Sequence, residues 1–314
     1  MKKFMKGSGL TLAIVLLLGM ILVTAGGCGG GFKDVTQQIA DGEFNFDSED
    51  LENWIWNEDW EVYDAASMTV FNNDKPIIKD EESYEETMEA AGIQKLEIDL
   101  GGCEVKIEIS PDADYHVKAE KISAFQTYAE GDTLYVRGVK TGSFNGNLNN
   151  NMSVTVQIPA DAVYETVSLS LGAGDFEIEA LSADSIEIEI GAGRLQINGL
   201  RAEILAVELG AGQAIIKDAE VSANAQLETG AGEMIFEGSI PGDLQAECAM
   251  GNMDIKITDS TENDHNYNLE CAAGNLTAGS ANISAGLGEK TIDNGVTSDY
   301  DLECAMGNLT LTFE

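Results

Sequence analysis

The sequence predicts an all-β fold. It is a single-stranded β-solenoid, or β-helix-like stack, of rungs about 20 residues long with two strands each, preceded by one hydrophobic N-terminal helix. Two observations predict the stack. Small tripeptides recur: Gly172-Ala173-Gly174, Gly191-Ala192-Gly193, Gly210-Ala211-Gly212, Gly230-Ala231-Gly232, Ala249-Met250-Gly251, Ala272-Ala273-Gly274 and Ala305-Met306-Gly307. Each is flanked by strict apolar alternation, as in Ile186-x-Ile188-x-Ile190 before one and Met253-x-Ile255-x-Ile257 after another. Period two means strands with one buried face. A third observation predicts the helix: Leu10 to Ala25 is uncharged and mostly Leu, Ile, Val, Ala and Met.

The chain divides at 1–31, 32–92 and 93–314. Lys2, Lys3 and Lys6 precede the apolar run and acids follow it, which places the N-terminus inside and residues 32–314 on the extracytoplasmic side. With its uncharged flanks, Gly7 to Gly31, the run is long enough to span a bilayer. Three readings stay open: a retained single-pass anchor, a lipoprotein signal, or a cleaved secretory signal. Ala25-Gly26-Gly27-Cys28 resembles a bacterial lipobox with Cys28 as the lipidated residue, although such boxes prefer Leu where Ala25 stands.

Residues 32–92 read as an acidic stalk or cap. Lys33 to Ala90 holds 18 Asp or Glu against 3 Lys, and all the tryptophans: Trp54, Trp56 and Trp60. These rings are expected to pack on the end of the β domain, because an exposed solenoid end needs a cover.

In residues 93–314 each unit reads as strand, tight corner, strand, turn. The small tripeptide lets the backbone bend where a side chain would clash. One unit cannot bury its apolar face alone. Stacking places equivalent strands about 4.8 Å apart and makes a continuous core. Gly101-Gly102-Cys103 is an eighth, degenerate copy. Residues 111–160 depart from the period and read as an elaborated first turn. Its expected strands are Tyr115–Ile122, Thr133–Gly138 and Ser153–Ile158, and its loop is Gly142–Asn151.

Aligning the copies on their last small residue produces two informative columns. Three positions earlier stand Leu100, Leu171, Ile190, Leu209, Thr229, Cys248, Cys271 and Cys304. Cysteine therefore occupies the place of Leu and Ile and faces inward as a small hydrophobe. The spacing does not fit a zinc knuckle, and a disulfide between neighbouring rungs would leave one thiol over. One position further back stand Asp99, Ser170, Glu189, Glu208, Glu228, Glu247, Glu270 and Glu303, facing outward. Like charges directly opposite are destabilising. The column is either a solvated face that discourages edge pairing or a stripe for a cation or basic partner, with Glu189, Glu208, Glu228, Glu247, Glu270 and Glu303 as its candidate residues.

A net charge of −38 argues against nucleic acid as a partner. Catalytic, cofactor-binding and metal-ligating sets are expected to be none. His116 and His265 sit in no metal spacing and near no recognisable nucleophile, and read as surface or turn residues. The glycines lie between strands, so no phosphate-cradling loop precedes a helix.

The pattern Leu-Gly-Ala-Gly-Asp-Phe-Glu-Ile of Leu171–Ile178, the strand Ser153–Pro159 before it and the N-terminal membrane segment together resemble the bacterial putative-adhesin family of β-strand-repeat domains, a family of unknown function. The resemblance covers about residues 93–314. It implies a β-solenoid-like fold on the outer face of the cell and carries no catalytic residues. The expected function is a membrane-anchored, extracytoplasmic binding or adhesion-like module with a cell-wall glycan or an envelope protein as partner. An accessory or regulatory protein of an envelope-stress system is the alternative, ahead of a polysaccharide-processing enzyme.

Overall fold

A computed structural model describes residues 71–139, 152–284 and 288–314. The N-terminal segment, Cys28, the three tryptophans and the loop 142–151 lie outside the described residues. Among the described residues, apart from one short 3-10 turn, Glu262–Asp264, every regular element is a strand.

The repeat forms the expected parallel stack. Strands β8 (Tyr164–Ile178), β9 (Leu181–Ile197) and β10 (Leu200–Ser239) lie in register, with Leu171 beside Ile190 and Ile190 beside Leu209. β10 makes two rungs in one run, the corner glycine of its second arm, Gly232, lying against the carbonyl of Gly212. Upstream half-strands form one layer and downstream half-strands the other. The core between them is filled by inward residues such as Leu169, Phe176, Ile188, Leu227 and Phe236, all fully buried.

The glycine corners stay hydrogen-bonded in the ladder. Ala173 pairs with Ala192 and Gly174 with Gly193, so β8 and β9 run through the bend unbroken. The tripeptide shifts the alternation by one residue: Leu169 and Leu171 point inward before it, Phe176 and Ile178 after it. Such a phase change is what a bulge-like kink produces. At the Ala-Met-Gly and Ala-Ala-Gly corners the strands are interrupted, giving β11 (Asp243–Cys248) and β12 (Asn252–Ile257), then β13 (Asn266–Cys271) and β14 (Asn275–Ala278), then β17 (Asp299–Cys304) and β18 (Asn308–Phe313).

The rungs do not stack in chain order. β17 and β18 pair with β11 and β12 on one side and with β13 and β14 on the other. The chain skips a slot to lay down β13 and β14, reverses through β15 (Ala281–Ser284) and β16 (Gly288–Ile292), which pair antiparallel on the outside, and returns to fill the gap. The other end repeats the device. After β3 (Lys95–Ile109) the chain forms β4 (Tyr115–Glu120) and β5 (Ala124–Glu130), then β6 (Thr133–Val139) and β7 (Met152–Ile158) slip in between. β1 (Ile78–Lys79) and β2 (Ser83–Met88) add an antiparallel outer layer on β5 and β4. The stretch expected to be an elaborated turn is thus the end of the stack, with β5 an additional strand. Reversing the outermost strands ends the parallel template, so an identical parallel rung cannot simply be added.

Candidate functional site: an acidic stripe across the rungs

The outer face of the upstream layer carries the acidic column. Register fixes its order in space as Asp99, Ser170, Glu189, Glu208, then Glu228, Glu247, Glu303 and Glu270. Chain order would have put Glu270 beside Glu247; the inserted rung puts Glu303 there instead. Antiparallel β16 extends the line with Glu289 beside Glu270, a residue with no tripeptide to reveal it in the sequence. Two positions earlier on the same face runs a second column: Glu187, Ala206, Gln226, Gln245, Asp301 and Asn268.

The stripe is less solvated than a surface row should be. Glu247 is only 7% exposed. Its Oε1 accepts a 2.8 Å hydrogen bond from Gln245 Nε2, while its Oε2 is buried without a partner. Gln226 donates similarly to Glu228. Desolvation, reinforced by Glu228, Glu189 and Glu187, pushes the carboxyl of Glu208 up to about 7. Desolvation, then Glu228 and Glu303, does the same to Glu247, although Gln245 opposes it. Glu189, Glu270 and Glu303 are pushed upward too, first by desolvation and then by neighbouring carboxylates. Close to neutral pH Glu208 and Glu247 therefore hold protons that ordinary glutamates would have released. The alternation places all six glutamates on this outward face, as a solvated row or a stripe for a cation or basic partner; spacing alone does not show that Glu247 is buried.

Among the described residues other chemistry is sparse. His116 Nε2 meets Asp112 Oδ1 at 2.9 Å in a surface pair. His265, expected at the surface or in a turn, lies in the bend before β13 but is buried. Its Nε2 lies 2.9 Å from Ser260 Oγ and its Nδ1 2.7 Å from Ser298 Oγ, and its ring stacks on Tyr300. Desolvation lowers its pKa and favours the neutral ring. Ser298 in turn donates to Gly242 O. The cluster thus staples the inserted rung to the turn before β11. A groove of about 390 Å³ runs past the inter-rung turns from Ile109 and Pro159 to Thr258 and Asp259, with the Arg201–Glu220 ion pair among its lining.

Residues 93–305, which hold the parallel rungs and their glycine corners, match a known family model. The chain belongs to the Toastrack DUF4097 family. The match takes in every residue of the stripe but leaves out β1, β2 and β18. Solved structures similar to this Toastrack chain include a putative cell adhesion protein from Clostridium sporogenes, with 13% identity and a TM-score of 0.36 over 74% of this chain and 99% of that one. A putative adhesin from Bacteroides fragilis is 12% identical, with a TM-score of 0.37 over 74% and 99%. One from Parabacteroides distasonis is 10% identical, with a TM-score of 0.30 over 75% and 98%. No curated protein matches the chain.

Proposed function

We propose that this Toastrack chain is a non-catalytic binding module of the cell envelope, held outside the membrane by residues 1–31. Its partner is an envelope protein that lays a Lys- or Arg-rich segment along the acidic stripe. The observation that supports this reading is Glu247: a carboxylate 7% exposed, one oxygen unpartnered, flanked in register by Glu228 and Glu303. A solubility face needs charge but not covered charge, and uncompensated buried carboxylates cost stability. A basic segment would supply the missing counter-charges and hydrogen-bond donors at once.

Oligolysine titrated into the protein by calorimetry tests this reading. Binding should tighten between pH 6 and pH 8, as Glu208 and Glu247 ionise, and weaken steeply with added sodium chloride. The quadruple variant Glu208→Gln, Glu228→Gln, Glu247→Gln, Glu303→Gln should lower affinity at least tenfold. Amide substitutions at the exposed Glu81, Glu89, Asp175 and Asp254 should lower it less than threefold. Equal losses from the two sets would mean that oligolysine follows net charge alone, and the stripe would not be a site.

A further inference from the structure

Three cysteines, Cys248, Cys304 and Cys271, stand side by side on consecutive rungs. We propose that Cys248 and Cys304 form a two-coordinate site for a soft monovalent metal ion of the copper(I) class. The rungs carrying them share one local sequence, Cys-Ala-Met-Gly-Asn at 248–252 and 304–308, echoed as Cys-Ala-Ala-Gly-Asn at 271–275. The asparagines make their own ladder: Asn308 Nδ2 donates to Asn252 Oδ1 at 2.8 Å, and Asn275 Nδ2 to Asn308 Oδ1 at 2.9 Å. This ladder holds the corners in strict register.

Geometry selects the metal. In-register residues on neighbouring parallel strands lie about 4.8 Å apart, a separation that two thiolates can bridge through one ion bound end to end between them. A linear dithiolate therefore fits between two rungs without moving the backbone. Among the described residues no three His, Cys, Asp or Glu side chains are grouped to hold one ion, so a zinc-like tetrahedron is not available. Thiolates without nitrogen or oxygen ligands select soft ions.

The surroundings suit the product. Binding breaks two S–H bonds, forms two S–Cu bonds and releases two protons, copper remaining copper(I). The resulting S–Cu–S unit carries one negative charge inside the protein. Backbone N–H groups meet it: Gly251 and Asn308 donate to the Cys248 sulfur, and Gly307 to that of Cys304. Both thiols are nearly buried, at 2% exposure. The corners above them present Met250 and Met306, two of the few large apolar side chains exposed among the described residues, whose thioethers are themselves soft donors. Cys271 lies under Ala272-Ala273 and has no such neighbour on its own corner.

The test is copper(I) uptake by the full chain under anaerobic reducing conditions, with Cys28→Ala run alongside to remove the N-terminal thiol. One copper(I) per chain is expected, with two sulfur neighbours and no nitrogen or oxygen by X-ray absorption. Uptake should survive Cys271→Ala and disappear in Cys304→Ala and Cys248→Ala. Cys304→Thr repeats the loss with a residue that the column already accepts at Thr229, and circular dichroism checks that each variant is folded. No uptake by the parent chain, uptake undiminished in folded Cys304→Ala and Cys304→Thr, or copper ringed by nitrogen and oxygen would each overturn the site.

Discussion

Gly193→Ala should abolish the folded stack. A Cβ built on Gly193 would lie 1.8 Å from Gly174 O and 2.8 Å from its carbonyl carbon, both backbone atoms of the rung beside it. The residue also sits at φ 137°, which L side chains rarely adopt. Relief would require the rungs to separate where Ala173 pairs with Ala192 and Gly174 with Gly193. Backbone strain of this type costs about 1–3 kcal/mol, and the lost pairing adds to it, for a total on the order of 4 kcal/mol or more. That is a large share of the roughly 5–15 kcal/mol that holds a domain together. Denaturant unfolding followed by circular dichroism should show a collapsed midpoint or no folded protein. Ala192→Ser, one residue away and only half buried, should cost less than about 1 kcal/mol. Equal tolerance at both positions would refute the close approach.

Leu209→Asp should be the other severe substitution. Leu209 is 1% exposed and sits beside Ile190 in the inward column. An aspartate there is a buried, unpaired charge, costing on the order of 3–5 kcal/mol. Glu208→Lys changes the next residue, on the opposite face, and relieves repulsion from Glu189 and Glu228. It should cost under about 1 kcal/mol or stabilise. Because side chains alternate, a register error of one residue would exchange the two outcomes. Thermal melts of the two variants decide it.

The inward and outward columns were legible because period-two alternation and a fixed spacing align them without any knowledge of pairing partners. Leu100, Leu171, Ile190, Leu209, Thr229 and the three cysteines are all buried as that alignment requires. The order of the rungs was not legible. Cys304 lies between Cys248 and Cys271 because the chain doubles back through β15 and β16, and nothing in the repeat encodes which slot a rung fills. The burial of Glu247 was hidden for a related reason: it depends on Glu303 and Gln245 standing beside it, and Glu303 is 56 residues away in sequence. His265 does lie in a bend, but its burial was hidden because its partner Ser298 lies across the same detour, 33 residues on.

The stripe holds carboxyls under strain, and the melting temperature as a function of pH tests this most directly. The folded-state pKa values of Glu208 and Glu247, about 7, lie above the ordinary 4.5. Between those limits the folded chain binds more protons than the unfolded one, so stability rises as pH falls below 7 and is lost as pH rises through 7. Each carboxyl contributes about 1.4 kcal/mol per pH unit inside that window, which corresponds to a rise of roughly 5–10 °C between pH 8 and pH 6 for a domain of this size. His265, with its lowered pKa, opposes this only as pH falls below the ordinary histidine value of 6.5. The double variant Glu208→Gln with Glu247→Gln should melt higher than the parent at pH 8 and show a flattened profile. A parent protein that melts at the same temperature at pH 6 and pH 8, or lower at pH 6, would contradict the account.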